Sequence, residues 1–142
     1  MDFLSALRTS ASALSAERTR VDLATSNLAN AESTRGPNGM PYRRLDPVLQ
    51  SVPFEDSMAA ASADAPAAGV KVAAVMADPT PGRRVYSPGH PDADGDGFVT
   101  FPNVEPIHEV VNLMSASKAY QANATAVDTL KTMAQRALDI GK

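Results

Sequence analysis

The residues best suited to chemistry are three aspartates in a glycine-rich run. Asp92, Asp94 and Asp96 alternate with small residues and precede Gly97. Acidic residues at the first, third and fifth positions, followed by a glycine, open the calcium-binding loop of an EF-hand. A small calcium-responsive binding module is therefore one hypothesis for this chain.

The far end of this loop does not meet the coordination requirement. The position that normally supplies a bidentate glutamate is Asn103, and Glu105 comes two residues late. The preceding run SPGHP (87–91) cannot form the entering helix, because proline and glycine favour turns there. An Asx-rich turn that leads into a short strand is the stronger interpretation of this stretch.

No group of residues in the sequence indicates a catalytic site. His90 and His108 are the only histidines, and there is no cysteine. Neither histidine has the neighbours that a zinc site or a general base requires, and the GxSxG, HExxH, Walker and GxGxxG motifs are absent. The pairs Arg43–Arg44 and Arg83–Arg84 are isolated, which is typical of solvated or salt-bridged arginines. We expect no enzyme activity, no cofactor, no metal and no small-molecule substrate.

Composition also argues against nucleic acid and membrane as partners. The net charge is −3, whereas nucleic-acid-binding domains usually carry a basic stripe. No apolar run is long enough to span a bilayer, and the first 20 residues lack the pattern of a secretory signal. Hydrophobic residues make up 44% of the chain, but many are alanine and only 5% of residues are aromatic, which predicts a thin core.

The distribution of proline and glycine divides the chain into three zones. All 11 prolines and seven of the eight glycines fall within residues 36–106, whereas residues 1–30 and 107–140 contain neither. This predicts a mainly α fold with a small β-rich middle, inserted between two long helices. The predicted domains are an N-terminal assembly helix, a middle domain and a C-terminal assembly helix: 1–33, 34–104 and 105–142.

Both predicted helices carry a column of mostly apolar residues with seven-residue spacing, the pattern of a coiled-coil seam. We expect the two helices to pair through these seams, with Asn123 fixing the register. An ordinary two-helix core is the alternative. The predicted seam residues are Leu4, Leu7, Leu14, Val21 and Leu28 in the first helix and Val110, Leu113, Tyr120, Asn123, Val127 and Leu130 in the second.

The middle zone is predicted to hold short strands at 42–45, 70–76 and 83–86. The alanine-rich stretch 58–69 has low complexity, and we expect a mobile loop over 56–69.

Several of these stretches resemble a known superfamily. The run ATSNLAN (24–30) with the later PYRR (41–44) is similar to the N-terminal signature of flagellar rod, hook and hook-associated proteins. The runs NVEP, VVNLM and AYQAN, between 103 and 123, resemble its C-terminal segment. The run YSPGHPDAD (86–94) followed by GFV (97–99) is similar to the FlgC type of proximal rod protein in particular. The Gly95–Asp96 insert and the 58–69 stretch depart from that pattern.

This resemblance implies a structural subunit of the flagellar basal-body rod that polymerises through its terminal helices. The rod transmits torque as a drive shaft and continues the export channel. The implied partners are copies of the chain, other rod proteins and adjoining ring or export-gate components. The implied location is the periplasm-spanning rod, reached through the flagellar type III apparatus without a cleaved signal. A distal rod or hook-associated subunit is an alternative, although such chains are usually longer.

The resemblance also assigns roles to four residues of the N-terminal motif. It implies that Asn27 and Asn30 cap the first helix or turn the chain at its end. Pro41 and Tyr42 are the other motif residues carried over.

Overall fold

The computed structural model describes residues 3–36, 38–53 and 67–140. Over these residues, a helix is followed by four strands and a second helix, so the predicted order of helix, β-rich middle and helix is confirmed. The elements are α1 Phe3–Ala29, β1 Leu45–Pro53, β2 Ala67–Ala77, β3 Arg84–Tyr86, β4 Phe98–Thr100 and α2 Pro106–Ile140.

The chain forms two compact units. The first unit comprises Met1–Thr19, Val48–Ala74 and Ser115–Lys142, and the second comprises Arg20–Pro47 and Val75–Met114.

Local sequence explains where the helices begin and end. The 27 residues of α1 contain no proline or glycine, and its length is about 40 Å at the usual rise per residue. At its end, the backbone N–H and the side-chain amide of Asn30 both donate to the carbonyl of Ser26. Pro106 starts α2 at a position whose missing N–H would have no partner within the helix. Neither helix, over the described residues, is long and apolar enough to cross a membrane.

Many threonine hydroxyls on both helices bond to their own backbone. Thr19 and Thr25 of α1 donate to the carbonyls four residues earlier, as do Thr125, Thr129 and Thr132 of α2. These hydroxyl donors already have an acceptor, so a neighbouring helix can cover these faces with little desolvation cost.

The four strands form two small sheets. β1 pairs with β2, and β3 pairs with β4 in antiparallel register with Val85 opposite Val99. The predicted strands at 70–76 and 83–86 fall on β2 and β3. Residues 56–66 of the predicted mobile loop lie outside the described residues, and residues 67–69 are the first residues of β2 rather than loop.

The predicted strand at 42–45 is wrong for its first three residues. The strand begins only at Leu45, because the backbone of Arg44 is already paired with other segments. The N–H of Arg44 donates to the side chain of Asn103 at 2.8 Å, and its carbonyl accepts from the N–H of Asp78 at 2.8 Å.

The first unit is held by close backbone approach. Ala16 and Ala116 are buried, and the N–H of Val70 donates to the hydroxyl of Ser12 at 3.1 Å. A Cβ atom on Gly69 would lie 3.0 Å from that hydroxyl, so β2 and α1 approach each other closely here.

The second unit also has a small apolar core, formed by Ala24, Ala31 and Val99. Alanine burial contributes little free energy, so the thin core expected from composition is present. Polar contacts must therefore position much of this unit.

Replacing Gly82 with alanine tests one tight contact in the second unit. A Cβ atom there would overlap the backbone carbonyl oxygen of Phe101, which cannot move without shifting the chain. We expect Gly82→Ala to lower the free energy of unfolding by about 2 kcal/mol, measured by urea denaturation. Gly89→Ala is the control, because nothing lies within 4 Å of its added Cβ atom. Equal midpoints for the two variants would contradict this contact.

Candidate functional site

Asp94, the middle aspartate of the hypothetical calcium loop, holds the connection between β3 and β4. One carboxylate oxygen of Asp94 accepts from the N–H groups of Asp96 and Phe98, at 3.1 and 2.8 Å. Its other oxygen accepts from Arg84 at 2.7 Å. The predicted Asx-rich turn into a short strand is therefore confirmed, with Phe98 as the first residue of β4.

Asp92 points to a different segment. One of its oxygens accepts from the hydroxyl of Thr34 at 2.8 Å, and the other lies 3.6 Å from the guanidinium of Arg35. Within the described ranges, no three His, Cys, Asp or Glu side chains are grouped so as to hold a metal ion. The calcium-module hypothesis has no support from this geometry.

The charge of Asp94 makes the connection sensitive to acid. The N–H of Phe98, and after it Arg84, hold the pKa of Asp94 below its usual value. The charged form therefore stabilises the fold above the unfolded-state pKa of about 3.9, and this contribution is lost as pH falls through the lower folded-state pKa. We expect the urea midpoint of the wild type to fall more steeply below about pH 4 than that of Asp94→Asn.

The control for this acid test is Asp96→Asn, a change in the same connection. This variant should keep the steep fall of the wild type. Parallel curves for Asp94→Asn and the wild type would show that the charge of Asp94 contributes nothing.

The most completely bonded side chain in the second unit is that of Asn27, which is 1% exposed. Its oxygen accepts from the N–H of Leu45 and the hydroxyl of Tyr42, both at 2.9 Å. Its nitrogen donates to the carbonyl of Leu45 at 2.9 Å and to Glu109 at 3.1 Å. The amide thus pairs with both backbone groups of Leu45, as a neighbouring strand would, and all four of its hydrogen-bonding positions are used.

Glu109 is the buried charge of this site. It lies in the first turn of α2 and is 1% exposed. One of its oxygens accepts from Asn27, and the other accepts from Nε of Arg44 at 2.6 Å. Both oxygens therefore have partners, as a buried carboxylate requires. We call Asn27, Tyr42, Arg44 and Glu109 the polar cluster.

Arg44 connects the polar cluster to two further carboxylates. Its guanidinium makes a two-pronged contact with Asp46, at 2.6 and 3.1 Å, and lies 3.9 Å from Asp78. The hydrogen bond to Asp46, followed by the contact with Glu109, raises the pKa of Arg44 above its usual value. Arg44 therefore carries a positive charge at neutral pH.

Asn103 holds the segment that carries Arg44. Its oxygen accepts from the N–H of Arg44, and its amide nitrogen donates to the carbonyl of Thr80 at 3.1 Å. Beside the polar cluster lies an open cavity of about 280 Å³, which Arg20, His108 and Asn112 also line. The cluster can hold chain segments in place.

Two of the four motif residues belong to the polar cluster. Tyr42 bonds to Asn27, and the side chain of Asn27 bonds to Leu45 and Glu109 rather than to the end of α1. Asn30, for which the resemblance implies the same role, donates through its side chain to the carbonyl of Ser26 in the last turn of α1. Pro41 is half-buried just before Tyr42.

The predicted seam residues differ in burial. In α1 the described members of the set are half-buried, whereas Leu4 has a side chain outside the described residues. In α2, Val110 and Tyr120 are 40% and 39% exposed. Asn123 bonds to the carbonyl of Ala119 in its own helix. The remaining members are half-buried: Leu7, Leu14, Val21, Leu28, Leu113, Val127 and Leu130.

Sequence reasoning missed Glu109 and treated Arg44 as one of an isolated pair. A signal for Glu109 was present, because it continues the seven-residue column through Ala116 and Asn123 toward the start of α2. A carboxylate on an apolar column needs a buried cation, and Arg44 supplies it.

Comparisons with known proteins match both helical ends of the chain. A family model described as "Flagella basal body rod protein" matches residues 7–37. A second, described as "Flagellar basal body rod FlgEFG protein C-terminal", matches residues 96–140.

Curated relatives match along nearly the whole chain. The flagellar basal-body rod protein FlgC of Escherichia coli O6:H1 is 44% identical over 131 residues, which cover 92% of each chain. The FlgC protein of Bacillus subtilis strain 168 is 43% identical over 145 residues, 96% of each chain. The FlgC protein of Yersinia enterocolitica is 40% identical over 142 residues, the full length of both. This identity extends over both helices and the segment between them. The chain therefore belongs to the FlgC family of flagellar basal-body rod proteins.

Proposed function

We propose that this chain is a structural subunit of the flagellar rod, which transmits torque and continues the export channel, and that it has no catalytic role. The observation that carries this proposal is the 44% identity to a flagellar basal-body rod protein over 92% of the chain. The geometry of the second unit supports a structural role, since the polar cluster ties separate chain segments together.

Polymerisation through the terminal helices is the proposed mode of assembly. Over the described residues, α2 leaves large apolar side chains at the surface of the single chain, including Tyr120, Met133 and Leu138. Covering exposed apolar surface of this kind with neighbouring helices is energetically favourable. The threonine hydroxyls that donate to backbone carbonyls of their own helix reduce the desolvation cost of that coverage.

We also propose that the two terminal helices pair as a coiled coil through the seams predicted from the heptad spacing, and that these seams pack in the assembly. Val127 and Leu130 are half-buried in the single chain and can be buried further by a neighbour. Because the cores of both units are small, much of the stabilisation of the helices comes from subunit packing.

The proposed partners are further copies of the chain, the other rod proteins and adjoining ring or export-gate components. We propose export through the flagellar type III apparatus without a cleaved signal, to the rod that crosses the periplasm. A chain with a thin core unfolds at low cost, which suits passage through a narrow channel.

Electron microscopy of basal bodies from a strain deleted for this chain tests the proposed function. We expect motor rings without rod, hook or filament, and restoration of all three by the intact gene. Complete basal bodies and swimming cells in the deletion strain would overturn the proposal.

The seam assignment is tested by placing a charge at Val127. We expect Val127→Asp to abolish motility while the chain is still exported, because an unpaired charge in a packed seam costs several kcal/mol. Thr129→Asp is the control, since it adds the same charge roughly 160° around the helix. Normal swimming of the Val127 variant would remove Val127 from the seam.

A further inference from the structure

The start of α2 has an inverted arrangement of charge and apolar surface. Glu109 is 1% exposed, whereas four large apolar residues of the same two turns are 40–75% exposed. We call these four residues the apolar stripe: Ile107, Val110, Val111 and Met114.

Helix geometry places three of the four stripe residues nearly opposite the buried charge. At about 100° per residue, Ile107, Val111 and Met114 are centred roughly 160° around the helix from Glu109. The hydrophobic effect alone would favour the reverse rotation, with the stripe facing inward and the carboxylate in water. Another interaction must therefore hold α2 in its observed rotation.

The ion pair of the polar cluster can supply that interaction. Arg44 and Asn27 hold both oxygens of Glu109. The guanidinium of Arg44 is held by Asp46, and its backbone N–H is held by Asn103. The cation that pairs with Glu109 therefore has a fixed position. A buried pair of this kind adds little net stability compared with apolar residues of similar size, but breaking it by rotation would strand two charges.

We propose that the Arg44–Glu109 pair sets the rotation of α2 about its own axis and thereby keeps the apolar stripe at the surface. The pair thus stabilises the orientation of α2 that leaves the apolar stripe exposed over the orientation that would bury it. This inference concerns the single chain and does not depend on the proposed function.

The test uses thiol labelling, because the natural chain has no cysteine. Two reporters are made separately: Met114→Cys on the stripe and Leu113→Cys on the half-buried side of the helix. Each is labelled with a maleimide in the otherwise natural chain and in a chain that also carries Arg44→Met and Glu109→Leu. Asn27 is retained because its amide pairs with the backbone of Leu45.

With the ion pair intact, we expect Met114→Cys to react faster than Leu113→Cys. With the pair replaced, α2 should rotate and bury the stripe, which slows labelling at Met114→Cys by at least about tenfold. The urea midpoint of the replaced chain should equal or exceed that of the natural one. Unchanged labelling at Met114→Cys in a cooperatively folded double variant would overturn the proposal.

A milder pair of variants keeps the test decisive if the double variant does not fold. Arg44→Lys retains the charge but loses the fork that contacts Asp46 and Glu109 together. We expect it to slow labelling at Met114→Cys about threefold or more, because the rotated orientation becomes populated. Arg43→Lys, at the exposed neighbouring arginine, should leave labelling unchanged. Equal rates for these two variants would also overturn the proposal.

Discussion

Replacing Arg44 with methionine is expected to lower the free energy of unfolding by about 3–5 kcal/mol. The change preserves most of the apolar stem but removes the cation that lies 2.6 Å from Glu109. A carboxylate that is 1% exposed would then keep only the bond from Asn27 and lose its compensating charge. Urea denaturation at neutral pH measures the loss.

The neighbouring arginine is the control for this change. Arg43→Met removes an exposed guanidinium from the same segment and should change the unfolding free energy by less than about 0.5 kcal/mol. A loss below about 1 kcal/mol in Arg44→Met would contradict the assignment of Glu109 as a buried ion that depends on Arg44.

Asn27→Asp is expected to cost at least about 3 kcal/mol, although the two side chains have nearly the same shape. The aspartate retains the acceptors for Tyr42 and the N–H of Leu45. It loses the donor to the carbonyl of Leu45 and places a second carboxylate next to Glu109, where the amide nitrogen now lies at 3.1 Å. The cost thus comes from charge and unpaired polar groups rather than from a cavity.

Asn123→Asp makes the same chemical change in α2. Within the described residues, the amide of Asn123 bonds only to a carbonyl of its own helix, at 2.9 Å, so we expect a loss below about 1 kcal/mol. Similar losses for the two variants would show that the contacts of Asn27 contribute no more than an ordinary helical asparagine. The measurement is again the urea midpoint and slope.

Local sequence determined the helices and the strands β2, β3 and β4, whereas only Leu45 of β1 was predicted. The absence of proline and glycine from both ends predicted α1 and α2, because helix formation depends on residues within a few positions of one another. The turn residues before Phe98 predicted the strand β4 for the same reason. The seven-residue spacing predicted which residues could form seams, and their packing with other subunits is still a prediction.

Only the tertiary structure decided the roles of Asn27, Arg44 and Glu109. Asn27 and Glu109 are bonded across 82 positions of the chain, and no local pattern reports a contact at that separation. Periodicity also assumes that apolar residues face inward, but in the single chain Glu109 is buried and Val110 is 40% exposed. A paired charge can outweigh that assumption, because a buried carboxylate must remain with its cation while an exposed apolar side chain costs much less.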